Sequence, residues 1–476
     1  MTTTIGLEIH VQLATQTKMF CGCSTAFGDE PNTHVCPVCL GLPGALPTLN
    51  AEAVRLATRV AMALGCTVHE VSEFSRKNYF YPDLPKSYQI TQFDRPIATG
   101  GAVPIVTERG ARSIRLTRAH IEEDAGKSMH AADITLGGET LVDFNRCGMP
   151  LIEIVTEPDM QSGDEAYEFL RNLRRLVRWL NVSSGDMEKG AMRCDVNVSV
   201  SPDPEKRGTK VEIKNLNSFR SVKRAIDYEE QRQAQCLADG TPIIMETRHF
   251  DEVQGTTSSM RSKEASNDYR YFPEPDLPLL RLNPSELESV RAQMPELPWE
   301  TQSRFERDFS LPPYDAALLT EERATAEFFQ QTVALYDNAR KVASYIGTEV
   351  ARLLNERGKT LSETRLTPNA LAELLALVEN NTISNTASKD VLPLLVDTDT
   401  TPVEAVRRLG LEQVSDASAI DGLAAEVIAE NPTQVEQFRS GKDAVLGFLV
   451  GQLMKKSRGK ANPKLAGDTL QKLLRP

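Results

Sequence analysis

Thr4-Ile-Gly-Leu-Glu-Ile-His-Val-Gln-Leu13 decides the fold class. Ile5, Leu7, Ile9, Val11 and Leu13 alternate with Glu8, His10 and Gln12. A period of two sends each set to its own side of a strand, so the stretch predicts a half-buried strand. The pattern recurs over 194–200, with Val196, Val198 and Val200 opposite Asp195, Asn197 and Ser199, and over 210–214, with Val211 and Ile213 opposite Glu212. Between these strands, Leu170, Leu173, Leu176, Val177 and Leu180 recur at helical spacing and predict a helix over 164–180. The prolines at 273, 275, 278, 295 and 298 predict an extended exit from this first, strand-rich region.

Beyond about Trp299 the pattern turns helical. Residues 322–356 predict one long helix, Thr367-Pro368 opens another, and Asn380-Asn381-Thr382 reads as an end followed by a new start. Asp397-Thr-Asp-Thr-Thr-Pro402 reads as a polar hinge. The expected class is α+β: a β-rich domain over 1–293, an all-α domain over 294–400 and a small helical tail domain over 401–476.

The chain of 476 residues is 40% hydrophobic and 25% charged, which suits a globular protein and excludes collagen-like or low-complexity chains. No run of some 18 apolar residues predicts a membrane span, and Met1-Thr-Thr-Thr-Ile5 does not predict a secretory signal. The expected location is the cytoplasm, where the eight cysteines stay reduced. Residues 439–476 hold nine Lys or Arg against two Asp, a net +7 within a chain of −12, so the remainder carries −19. That contrast predicts a polyanion-binding tail on an acidic body. Lys455, Lys456, Arg458 and Lys460 are the candidate phosphate contacts, and lysines near a helix end are the alternative.

Cys21-x-Cys23 and Cys36-Pro-Val-Cys39 are four thiols at metal-like spacing, which predicts a structural, closed Zn²⁺ site. Glu8 and His10 share a strand face. Glu153 sits within the apolar run Leu151-Ile-Glu-Ile-Val155, and Glu212 sits in a similar setting. A bare carboxylate there is costly, so each must be paired, protonated or bound to metal. With Glu123 these residues suggest a multi-carboxylate Mg²⁺ site, and a set of structural salt bridges remains the alternative. Arg118-Ala-His-Ile-Glu-Glu-Asp-Ala-Gly-Lys-Ser128 ends like a phosphate loop but has Ile121 where that motif needs glycine; an exposed charged loop is the plainer reading. Two stretches, 77–83 and 268–276, interleave aromatic with charged residues and suit stacking on bases.

Together with these segments, Asp143-Phe-Asn-Arg146, Arg193-Cys-Asp-Val-Asn197, Glu212-Ile-Lys-Asn-Leu-Asn-Ser218 and Gly447-Phe-Leu-Val-Gly-Gln452 make the chain resemble the family of B-type subunits of the aspartyl/glutamyl-tRNA amidotransferase, along nearly its whole length. Ser344-Tyr345-Ile346 departs from the Asn-Trp-Ile expected of that family. The resemblance implies a β-rich cradle and ATP-dependent conversion of mischarged Glu-tRNA(Gln) or Asp-tRNA(Asn) to the amide through a phosphorylated acyl group. It implies partners too: an amidase-type glutaminase as the A component of a heterotrimer, a small C component, and mischarged tRNA. Glu8, His10, Glu123, Glu153 and Glu212 would then be catalytic. Glu8, His10 and Glu123 would hold Mg²⁺, and Lys77, Glu123 and Glu212 would meet ATP. Glu122, Asp124, Lys127, Asp195 and Lys214 would line the ammonia path. Two rivals remain: the archaeal E-type relative, which carries an inserted domain for which 298–476 leaves little room, and a non-enzymatic tRNA-binding module.

Overall fold

The computed structural model describes residues 1–129, 140–262, 269–411, 417–457, 461 and 463–475. The chain forms two compact units, Met1–Pro298 and Trp299–Pro476.

The first unit is built on a ten-stranded sheet. Its principal strands are β1 (Thr2–Gln12), β2 (Gly110–Glu123), β3 (Pro150–Thr156), β4 (Met192–Ser201), β5 (Val211–Lys214), β6 (Glu246–Asp251) and β7 (Thr256–Ser262). They lie in the order β7-β6-β5-β4-β1-β3-β2, continued by the short strands Ala98–Thr99 and Thr67–Val68. Neighbours are antiparallel except β5 and β6, which run parallel. The expected alternation holds in β1, β4 and β5. Ile5, Ile9, Val11, Val196, Val198, Val211 and Ile213 are all fully buried, with Ile152 and Ile154 of β3 beside them.

Helices α1 (Ala51–Ala63), α2 (Gly163–Trp179) and α3 (Phe219–Ala238) cover this unit. The helix expected over 164–180 is α2. Ser162 caps its start, accepting from the Glu165 N–H, and Phe169, Leu170, Leu173, Leu176 and Val177 are fully buried. Gly163, at the first turn, packs against α3: a β-carbon there would stand 3.0 Å from the carbonyl oxygen of Lys223. Glu229, fully buried on α3, accepts from Arg232, Gln233 and Thr257, fixing the helix to β7.

Several expectations change. The charged run over 118–128 is not an exposed loop: its first half is the end of β2, because Ala119 and Ile121 alternate with His120 and Glu122. The exit over 271–298 is not extended throughout, since Pro284–Ala292 is a helix begun by an Asn283/Glu286 capping box. The long helix over 322–356 is broken into Arg323–Leu335, Ala339–Tyr345 and Ala351–Arg357. Asn338 starts the second piece by accepting from the Lys341 N–H, and a π-helical turn, Ile346–Val350, joins it to the third.

In the second unit, Phe305 and Phe329 meet with ring centroids 4.9 Å apart, and Leu371, Leu374, Val391 and Leu395 are buried. The stretch 397–402, expected as a hinge, is a bonded turn: Arg357 pairs with Asp397, and Thr401 and Glu404 form a capping box. Helix Pro402–Leu409 packs back on Asn385–Asp397 and Pro368–Glu379. Helices Ala417–Glu430, Pro432–Arg439, Val445–Lys456 and Pro463–Leu474 share their own core, including Ala424, Leu449, Leu453 and Leu470. Among the described residues no helix is long and apolar enough to cross a membrane.

In the first unit, residues 272–273 return to pair with the strand Ser75–Asn78. Arg76 clamps the join, donating to both oxygens of the buried Glu274 at 2.7 and 2.8 Å, with its guanidinium 4.2 Å from the Tyr88 ring centroid. Removing one partner of a buried ion pair costs about 3 kcal/mol or more. In Arg76→Ala, amide exchange over 270–276 should therefore speed up on the order of a hundredfold. Unchanged exchange there would mean that the clamp does not hold this segment.

Candidate functional site

The strand register decides which side chains meet. β1 runs between β3 and β4, which sets His10 opposite Glu153 and Arg193, and Glu8 opposite Asp195. Glu153 in turn lies opposite His120 of β2, and Asn197 opposite Glu212 of β5. The polar alternates of successive strands thus form one continuous face, the reverse of the apolar one.

His10 is the centre. Its Nε2 lies 3.4 Å from a carboxylate oxygen of Glu122 and 3.4 Å from one of Glu153. His120 Nε2 lies 3.1 Å from Glu153. Burial opposes a charge on His10, but the two carboxylates outweigh it and raise its pKa to about 9. Burial likewise favours a neutral Glu153, yet the two imidazoles hold its carboxyl well below the usual range. Lys77, on the strand Ser75–Asn78, is held charged against burial chiefly by Glu122, and its Nζ lies 5.0 Å from the Tyr269 ring centroid.

One strand over, Lys214 Nζ pairs with Asp195 at 2.6 Å and lies 3.5 Å from Glu212. Glu212 accepts from Thr247, and Glu8 accepts from the Asn197 amide at 3.0 Å. Asp124 is bound by Arg193 at 2.7 Å with Arg146 at 3.6 Å; despite burial these guanidiniums hold its pKa low.

The site residues named from the sequence therefore separate. Glu8, His10, Glu153, Glu212, Asp195 and Lys214 share the polar face. Glu122 belongs to the His10 cluster. Glu123 does not: consecutive strand residues point to opposite faces. Its carboxylate is ion-paired with Lys86 and accepts from the Ile90 N–H at 3.0 Å. Lys127 is exposed on a small two-stranded sheet, opposite Asp143. His120, Arg193 and Arg146 were missed as site residues. Extending the alternation from Ile121 would have placed His120 and Glu122 on one face.

Beside this face lies a cavity of about 1190 Å³ whose lining includes Asn78, Tyr79, Phe80, Tyr81, Lys214 and Thr247. Phe80 is 85% exposed and Tyr81 61% exposed, so both rings stand free for stacking.

The donors suit two metals. His10, Glu122 and Glu153 each offer a ligand atom, all within 4.8 Å of one another, and two carboxylates with an imidazole fit a divalent cation. Two buried atoms nearby on this face, His120 Nδ1 and Asn197 Oδ1, have no hydrogen-bond partner among the described residues, which fits a site built for a polar ligand. Elsewhere, the sulfurs of Cys21, Cys23, Cys36 and Cys39 lie within 4.8 Å of one another, close to the ~3.8 Å edge of a tetrahedron with Zn–S bonds of ~2.3 Å. The Cys36 N–H donates to the Cys39 sulfur at 3.2 Å, and none of the eight cysteines forms a disulfide.

In the tail, Lys455 is exposed, while Lys456 pairs with Glu426 and Glu430 at 2.5 and 2.8 Å. Arg458 and Lys460 lie outside the described residues.

The His10 cluster predicts a titration. A pKa raised from 6.5 to about 9 means that the pairing contributes its full stability below pH 6.5 and loses it as pH rises through 9. In metal-free protein the His10 ring resonances should shift near pH 9, and Glu153→Gln should lower that midpoint by about one unit or more. A midpoint near 6.5 in the unsubstituted chain would refute the arrangement.

Comparison with known proteins finds relatives along the whole chain. A family model described as the GatB/GatE catalytic domain matches residues 3–288, and one described as the GatB domain matches 327–474. The chain is 48% identical to the B-type subunit of the aspartyl/glutamyl-tRNA(Asn/Gln) amidotransferase of Acaryochloris marina, over 99% of this chain and 97% of that protein. It is 48% identical to the proteins of the same name from Myxococcus xanthus and Thermodesulfovibrio yellowstonii, over 99% of this chain and 98% of each. With one model covering more than half of its length and relatives aligned end to end, the chain belongs to the GatB/GatE family.

Proposed function

We propose that this chain is the kinase and amidation component of a glutamine-hydrolysing tRNA amidotransferase, a ligase that converts mischarged Glu-tRNA(Gln) or Asp-tRNA(Asn) to Gln-tRNA(Gln) or Asn-tRNA(Asn). The observation that carries the reading is the meeting of His10, Glu122 and Glu153 on one sheet face with Lys77 beside them. ATP supplies the phosphoryl group that turns the substrate's side-chain carboxylate into an electrophile for ammonia. Phosphoryl transfer needs charge neutralisation and positioning above all. Here His10, Glu122 and Glu153 would hold a Mg²⁺ ion, and Lys77 would neutralise phosphate charge. Glu8 and Glu212 would order the neighbouring part of the face. The Asp195–Lys214 pair, with Glu122 and Asp124, offers ammonia alternating acceptors and donors. Phe80 and Tyr81 suit a purine ring.

The remaining assignments belong to the same proposal. The four cysteines hold a structural Zn²⁺. The chain works in the cytoplasm in a heterotrimer with an amidase-type glutaminase and a small third protein, and acts on the mischarged tRNA. Residues 1–293 carry the chemistry, 294–400 form a helical connector and 401–476 grip tRNA. Full-length similarity to B-type proteins favours this type over the archaeal E type, and the paired carboxylates and imidazoles favour an enzyme over a passive tRNA binder.

The test uses the assembled heterotrimer. His10→Ala and Glu153→Ala should each lower ATP-dependent amidation about a hundredfold, equivalent to about 3 kcal/mol in the transition state, while glutamine hydrolysis without tRNA survives. Near-normal amidation in both variants would overturn the site.

The tail gives a separate expectation. Ending the chain before Ala417 removes helices with a core of their own, and should raise KM for mischarged tRNA more than tenfold with little change in ATP affinity. Replacing Lys455, Lys456, Arg458 and Lys460 with Ala should flatten the salt dependence of tRNA binding. Equal tRNA binding by the truncated and intact enzymes at moderate salt would remove the tail from recognition.

A further inference from the structure

Lys18 is fully buried, although lysine is among the residues least often buried without a charged partner. Its Nζ donates to the carbonyl oxygens of His34 at 2.6 Å and Phe144 at 3.2 Å. A third neighbour is the Cys39 sulfur, at 3.8 Å. Among the described residues its ammonium forms no ion pair with a carboxylate. The two carbonyls satisfy its hydrogens but supply no net charge, and a buried ammonium without a counter-charge costs several kcal/mol.

A group in contact with the ammonium that can supply such a charge is the sulfur cluster. Four thiolates around one divalent cation leave a net charge of about 2−, and Cys39, the one cluster sulfur within hydrogen-bond reach of Lys18, is buried. The surroundings are closely built. A β-carbon on Gly148 would stand 3.5 Å from the Lys18 Cδ and 3.6 Å from the Cys39 Cβ. The loop before the second cysteine pair is stitched to the same place: the His34 N–H donates to the Asn145 side chain at 2.8 Å, and the Asn32 side chain donates to the Val142 carbonyl at 3.1 Å.

We propose that Lys18 is a positioning residue of the metal-loaded cysteine cluster. Its ammonium offsets part of the cluster's negative charge and fastens the cluster to the 142–148 loop. The inference rests on the zinc reading of the four cysteines and goes beyond it, because it gives the cluster a counter-charge outside its four thiolates and makes the lysine's contribution larger with the metal bound. With zinc bound, the ammonium and the thiolates stabilise each other. Without zinc most of that negative charge is gone, and the ammonium keeps only the Cys39 sulfur beside it.

The experiment uses the assembled heterotrimer, with zinc content, chelator competition and thermal unfolding as readouts. Lys18→Met, nearly equal in volume and uncharged, should weaken zinc retention against a chromogenic chelator about tenfold or more. The same change should lower the melting temperature of the zinc-loaded enzyme by more than it lowers that of a Cys36→Ser background. Lys18→Met that holds zinc as tightly as the unsubstituted enzyme would overturn the role of Lys18 and leave the zinc site standing. An unsubstituted enzyme that holds no zinc would overturn the zinc reading itself. Should Lys18→Met not fold with the cysteines intact, the Cys36→Ser background still decides: a Lys18→Met, Cys36→Ser chain that also fails to fold refutes the proposal.

Discussion

Everything in the first unit depends on the two-faced strand Thr2–Gln12. It is flanked on both sides, so its apolar residues must enter a core and its polar residues must find partners across two strand boundaries at once. Register then leaves little freedom. With Ile9 fixed between Ile154 and Cys194, His10 is fixed between Glu153 and Arg193. A slip of one residue on either side would carry His10 into the core and Ile9 out of it. The hydrophobic effect thus aligns the chemistry without acting on it directly.

The face so aligned is rich in charge but nearly balanced. Glu122 and Glu153 face His10 and Lys77, Asp195 faces Lys214, and Asp124 faces Arg193 and Arg146. Such compensation lets ionised groups stay ionised where burial would otherwise neutralise them, as the directions of the His10 and Glu153 shifts record. It also prepares the site for ligands of either sign. A divalent cation can displace a proton or an ammonium from the carboxylates, and a phosphate can take the freed cation as its partner.

Much of this was legible in the sequence, and the reasons for success and failure are physical. Alternation is local, so β1, β4 and β5 could be read residue by residue. The cysteine spacing was equally local, and the four sulfurs do gather. Glu123 was grouped with the site because it sits in the charged run 118–128, whose strand character was not read: Glu122 and Glu123 cannot both face His10 from one regular strand. The break after Leu335 was missed because the apolar spacing continues across it, while the cap at Asn338 is a single polar residue. The Arg76–Glu274 clamp joins residues 198 positions apart, and no local pattern carries that information.

The position of β1 has a consequence for how the molecule is made. It leaves the ribosome before either of its neighbours, and it ends in the middle of the sheet. Those neighbours, β3 and β4, are completed only at Thr156 and Ser201. At a synthesis rate of roughly 5–20 residues per second, the second partner arrives on the order of 10–40 s after the strand itself. Until Thr156 is made, an alternating, apolar-faced segment has two open edges and no native partner, and from then until Ser201 it has only one. Nascent chains of this protein therefore pass through a stage in which the strand destined for the middle of the sheet waits unpaired, with the apolar alternates Ile5, Leu7, Ile9 and Val11 open to other surfaces.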